Sequence, residues 1–197
     1  MLKVNTIHSL IVLYTSLKVL TASVIYIIIE KKSFGDSAMN NTFTCTFFGH
    51  RDFNWYPEIE QELEEILERI IRDNCFVEFL VGRNGEFDSF VSSVIRKLKK
   101  KFDSNNIFHI LVLPYFSAEY ENNCEYYNSY YDEIEYCEES SLAHFKSAIA
   151  IRNKQMIDRS HLVICYVYKP GGALSAMKYA KETNKNVINL YHHKITF

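Results

Sequence analysis

Phe76-Val77-Glu78-Phe79-Leu80-Val81 runs straight into Gly82-Arg83-Asn84-Gly85-Glu86-Phe87-Asp88. Six β-prone, mostly apolar residues stop at a glycine. A helical stripe then begins, with Phe87, Val91, Val94, Ile95 and Leu98 at i, i+3, i+4 spacing. A strand with no polar face is one covered on both sides, as in a parallel sheet packed between helices. The same handover recurs on either side. Residues 43–48 stop at Gly49 and give way to a helix opened by Pro57, with Ile59, Leu63, Ile66, Leu67, Ile70 and Ile71 on one face. Residues 107–113 stop at Pro114, and a helix is predicted from about Leu142 to Asp158. Residues 163–167 lead through Pro170-Gly171-Gly172-Ala173 into a helix with Met177 and Ala180, and residues 187–191 close the series. The predicted fold is a Rossmann-like, doubly wound α/β sandwich. Its sheet is mainly parallel, of about five strands, with helices on both faces.

The 197 residues suit one such domain, placed at 39–197. A net charge of -2 gives no general affinity for nucleic acid. Five cysteines without a CxxC pair imply reduced thiols and a cytoplasmic protein. Cys45, Cys75 and Cys165 fall in apolar runs and are expected in the core. His192-His193 lack the spacing of a metal site, and no metal is expected.

Residues 1–38 form a separate apolar segment with three readings. Residues 7–29 are long enough to span a bilayer. Lys18 near their middle would cost about 2.5–3.5 kcal/mol on insertion, and five serines and threonines weaken the span further. No clear small-residue cleavage site of signal-peptide type follows. The third reading, preferred over the anchor, is that translation starts at Met39, just before the first strand. Were the segment an anchor, Lys31 and Lys32 would hold the domain on the cytoplasmic side.

In an open α/β sheet the ligand lies beyond the carboxyl ends of the strands, so chain-distant loops converge there. Gly171 and Gly172 allow close backbone approach at a helix N-terminus, where free N–H groups favour an anion. Gly82 and Gly85 offer the same after the second strand, and Asp88 is placed to accept from a ribose hydroxyl or an amine. His50 and Arg51 project from the first strand, and Arg152 supplies a bidentate phosphate contact. Taken singly, each is equally a tight turn, a helix cap or a surface ion pair; it is their recurrence at successive strand ends that points to a site. Residues 115–141 read as a long acidic loop rich in tyrosine, most of its rings packing the loop onto the body and one or two touching ligand. The lysines 97 and 99–101 read as a solvated helix end.

Gly49-His50-Arg51-Asp52, Gly82-x-x-Gly85-x-Phe87-Asp88, Leu113-Pro114-Tyr115, Tyr131-Asp132-Glu133-Ile134, Arg152-Asn153-x-x-Met156-Ile157-Asp158 and Gly171-Gly172-Ala173 occur in that order. In this they resemble a bacterial family of unknown function in the SLOG superfamily (SMF/DprA-LOG), near the YpsA-like proteins. The resemblance spans about residues 44–190 and implies a Rossmann-like fold with a pocket for nucleotides or nucleotide-derived ligands. It carries no established reaction. The enzyme branch of that superfamily, the LOG-type phosphoribohydrolases, has Arg-Lys-x-x-Met and Pro-Gly-Gly-x-Gly-Thr-x-x-Glu. Here Asn153 replaces the lysine, Leu174 and Ser175 stand at Gly-Thr, and Lys178 stands at the catalytic glutamate. Glycosidic cleavage needs a carboxylate for its oxocarbenium-like state, and a lysine reverses that charge.

The expected function is therefore binding of a nucleotide-derived ligand in a sensor-like role. The contacts would come from Gly49, His50, Arg51, Gly82, Asn84, Gly85, Asp88, Arg152, Asn153, Gly171, Gly172, Ala173 and Ser175. Phosphate would sit on the Gly171-Gly172 helix start with Arg152, and ribose or base near Asp88 and Asn84. The alternatives are a nucleotide or nucleoside hydrolase or transferase, with Asp88 or His50 as general base, and a DprA-like DNA-binding protein. No cofactor is required. The expected partners are the small ligand and a second copy of the chain. Nucleic acid is disfavoured, and a membrane is engaged only if residues 7–29 are translated and inserted.

Overall fold

The computed structural model describes residues 42–83, 85–103, 105–141 and 143–191. The readings made for residues 1–38, Asn84 and His192-His193 fall outside these residues. Six strands form one all-parallel sheet: β1 (Thr42–Gly49), β2 (Phe76–Val81), β3 (Ile107–Leu113), β4 (Glu133–Tyr136), β5 (Leu162–Tyr166) and β6 (Asn186–Asn189). Their spatial order is β4-β3-β2-β1-β5-β6. The chain winds outward from β1 to one edge, crosses back to β5, and finishes at the other edge. The order reverses between β1 and β5, which is where a doubly wound sheet opens its crevice.

Side-chain alternation explains why the inner strands carry apolar residues on both faces. Phe47, Phe79, Val81, Leu111 and Ile164 point into one buried layer, while Phe48, Leu80, Ile110, Val112, Val163 and Cys165 point into a second. The first layer is closed by α1 (Pro57–Asp73), with Pro57 in its first turn, and α2 (Glu86–Phe102). These helices bury Ile59, Leu63, Leu67, Ile70 and Ile71, and Phe87, Phe90, Val91, Val94, Ile95 and Leu98. The second layer is closed by two later helices. One runs over Phe145–Asp158 and contributes Met156 and Ile157; the other runs over Gly172–Glu182 and contributes Ala173, Ala176 and Ala180.

The stretch 115–141, read from sequence as a loop, is folded. It holds α3 (Ala118–Asn122), α4 (Cys124–Tyr130), the edge strand β4 and the single turn α5 (Glu138–Ser141). The two helices that follow are therefore α6 (Phe145–Asp158) and α7 (Gly172–Glu182). Tyrosine packing organises the stretch: Tyr127 is 2% exposed, Tyr131 contacts His109, and Tyr120 packs at a tilt on Tyr127 and edge-on to Tyr136. Cys75 is a correction too, since it is exposed while Cys45, Cys137 and Cys165 are buried. Burial pushes the Cys45 and Cys165 thiols up, so these cysteines stay protonated and behave as apolar filler. No described helix is long and apolar enough to cross a membrane.

Candidate functional site

Beyond the ends of β1, β2 and β5 lies a cavity of about 200 Å³ lined by Phe47, Phe48, Gly49, His50, Arg51, Gly82, Asp88, Ile149, Arg152, Asn153, Gly172 and Ala173. Nine of the residues expected from sequence meet there. Gly171 sits beside them: a methyl group added to it would lie 3.9 Å from His50 Nδ1. Gly85 and Ser175 do not line the cavity. Gly85 precedes α2 and packs on the Arg51 backbone, where a Cβ would come within 2.6 Å of Cα. Ser175 donates to the Gly171 carbonyl at 3.3 Å and faces a neighbouring groove. None of the tyrosines of residues 115–141 reaches the cavity.

Arg152 reaches it from inside the protein. Its side chain is only 3% exposed, and Nη1 donates to the Val112 carbonyl at 3.0 Å and lies 3.7 Å from Met156 Sδ. Its Nε is buried with no hydrogen-bond partner among the described residues. Burial pulls its pKa below the ordinary value, with Asp88 the main opposing charge. A guanidinium still keeps its proton, so a buried cation with an unused donor borders the cavity. Gly82, expected to admit an anion, has another task. A Cβ there would lie 2.6 Å from Arg152 Nη1, so the glycine makes room for the arginine. Gly49 does the same for Phe87, whose ring would lie 2.2 Å from an added Cβ.

The N-terminus of α7 closes the cavity on another side. Gly171 has φ +151° and ψ −170°, a region open essentially to glycine alone. The helix has no side-chain cap and no acidic residue in its first turn. Its first N–H groups have no intrahelical acceptor, and the positive end of the dipole is left uncompensated. The other two long helices of known capping, α1 and α2, carry Glu58 with Glu60 and Glu86 with Asp88 in their first turns.

His50 is 6% exposed and joins β1 to the β5–α7 turn. Its Nε2 accepts from the backbone N–H groups of Tyr168 at 3.2 Å and Lys169 at 3.3 Å. A neutral imidazole accepting at Nε2 carries its proton on Nδ1, and Nδ1 is the atom facing Gly171. Burial lowers its pKa, Lys169 lowers it further, and Asp52 opposes both. The general-base role entertained from sequence is therefore corrected: the basic nitrogen is already occupied, and His50 is a donor toward the cavity.

Two features escaped the sequence reading. Phe47 and Phe48 line the cavity from β1, and Ile149 lines it from α6 at 37% exposure. The spacing of Ile149 to Asn153, i to i+4 on one helix face, was the available signal.

No family model and no curated protein matches the chain. Among solved structures, DNA processing protein A (DprA) from Helicobacter pylori, described for its single-stranded DNA binding mode, is similar in fold. The TM-score is 0.55 over 81% of this chain and 70% of that one, at 14% identity. The likeness is one of fold: both are Rossmann-like α/β proteins.

Proposed function

We propose that this chain binds a small nucleotide-derived ligand, in the manner of the YpsA-like branch of the SLOG superfamily, with a phosphate held between Arg152, the Nδ1–H of His50 and the N-terminus of α7. The observation that carries this reading is the buried Arg152, a cation with an unpartnered Nε that lines a cavity bordered also by an uncapped helix start. An anion there gains charge-assisted bonds that the protein does not supply to itself. The role is binding rather than cleavage. Asp88 is the one acid in the lining, and it faces Arg152, while Lys178 is exposed on α7 away from the lining residues.

Likeness to DprA favours a second reading, single-stranded DNA binding. Against it, three of the four lysines of α2 are occupied. Lys97 pairs with Glu60 at 3.1 Å and with Glu64, Lys101 pairs with Glu68, and Lys99 pairs with Asp132. A phosphate-tracking groove needs cations that are not already neutralised.

Thermal denaturation with nucleoside monophosphates, pyrophosphate and a single-stranded oligonucleotide tests the proposal. A ligand at about 100 times its Kd adds about 2.7 kcal/mol of stability. Gly172→Asp is the decisive variant. A Cβ at Gly172 meets nothing within 4 Å, and an acid in a first helical turn adds about 0.3–1 kcal/mol. The variant is expected to melt no lower than wild type and to lose the nucleotide shift. Absence of any shift with phosphate compounds in wild type, or an undiminished shift in the variant, would overturn the assignment.

A further inference from the structure

At about 200 Å³ the cradle is smaller than the roughly 300–1,000 Å³ of ordinary ligand sites. It takes a phosphate and little more. Beside it, between α6 and α7, runs a groove of about 310 Å³ that shares Ile149, Asn153 and Gly172 with the cradle. Together the two spaces fall within the ordinary range. The cavities near Tyr168, Pro170 and Tyr191, and near Arg96, Lys100 and Tyr130, share no residue with the cradle.

We infer that the base of the nucleotide lies in this α6–α7 groove. The inference rests on the phosphate reading above, and it moves the base away from the Asp88 side expected from sequence. The chemistry of the groove suits a flat ring with polar edges. Ile149, Ile157 and Tyr179 wall it, and Ala176 and Gly172 leave its floor low. Tyr179 is held ready: its hydroxyl donates to Asp158 at 2.9 Å, and the Lys154 ammonium lies 5.0 Å from the ring centroid. At the junction with the cradle stands the Asn153 amide, with a donor and an acceptor for a base edge. An acyl chain would use the apolar walls and leave that amide idle. A base uses both.

The experiment compares equilibrium binding of AMP, GMP, CMP, UMP and ribose 5-phosphate to the full chain, wild type and Ser175→Phe. Ser175 is exposed on the groove and outside the cradle, so phenylalanine there fills the space of the base without touching the phosphate contacts. Wild type is expected to bind at least one nucleoside monophosphate about tenfold or more tighter than ribose 5-phosphate, the gain of one stacked base. Ser175→Phe should remove that advantage and leave ribose 5-phosphate unchanged. Tyr179→Ala should lower monophosphate affinity alone, which guards against a folding defect in the first variant. Equal affinities in wild type, or an advantage that survives both variants, overturn the inference while the phosphate reading stands. If ribose 5-phosphate and all four monophosphates fail to bind, the phosphate reading falls and the inference falls with it.

Discussion

Arg152 serves the fold and the cavity at once, so its removal should be felt in both. Its guanidinium satisfies the Val112 carbonyl in a site from which water is largely excluded. Arg152→Ala would take this donor from the Val112 carbonyl and remove a buried cation that attracts Asp88. Chemical denaturation should show a loss of about 3 kcal/mol. A variant as stable as wild type would mean that the arginine is held less firmly than its burial implies. Lysine is no substitute, because its ammonium gathers its donors at one point and lacks the planar fork that bonds Val112 from one nitrogen and keeps others at fixed, separate positions. The sequence named this residue as a candidate anion contact, and it lines the cavity. Its burial was not legible, because that depends on Gly82 vacating space 70 residues earlier in the chain, a pairing no local pattern reveals. Likewise His50 was legible as a strand-end residue. Which of its nitrogens is free depends on the Tyr168 and Lys169 amides, brought to it only by the finished sheet.

The α1–α2 pair is laced by Lys97 to Glu60 and Glu64 and by Lys101 to Glu68, all partly or fully exposed. Such pairs are screened and contribute little, so Lys97→Ala should cost less than about 1 kcal/mol, measured in urea at low and at 0.5 M salt. The same variant should leave retention on a single-stranded DNA column unchanged. A marked drop in retention would return α2 to consideration as a nucleic-acid surface. Periodicity revealed α1 and α2 because their apolar stripes are long and their polar faces plain. It missed β4, whose Glu133-Ile134-Glu135-Tyr136 has four residues and two glutamates. That strand exists through its pairing with β3, and charge on an outermost strand is a common guard against unwanted pairing. The tyrosines around it looked like a loop because their partners are mostly one another, at spacings that no regular element dictates.

Across the whole domain, acid should be destabilising in a way two histidines help to set. His109 is buried between Ser92, which bonds its Nε2 at 3.2 Å, and Tyr131, and burial pushes its pKa down from 6.5 to about 3. Asp132 opposes this shift, while Lys99 and Arg96 reinforce it. The unfolded chain takes up the proton first, so stability is full above pH 6.5. It declines as pH falls toward 3, at up to about 1.4 kcal/mol per unit. His50, also lowered, acts in the same sense. Urea unfolding of wild type and His109→Phe between pH 7 and 4 checks this: the variant should show the flatter decline, and parallel curves would rule His109 out as the cause. The doubly wound architecture itself was readable from the strand-to-glycine-to-helix rhythm, since each unit is local even though the strand order is not. That non-local order also affects synthesis. The central strand β1 finds β2 soon after it is made, but its other neighbour, joined at Thr44 and His161, lies 117 residues downstream. At about 5–20 residues per second a ribosome needs roughly 6–25 s to deliver it. For that interval the nascent chain presents an open row of amides and carbonyls along the strand that will be central, a natural point of engagement for chaperones.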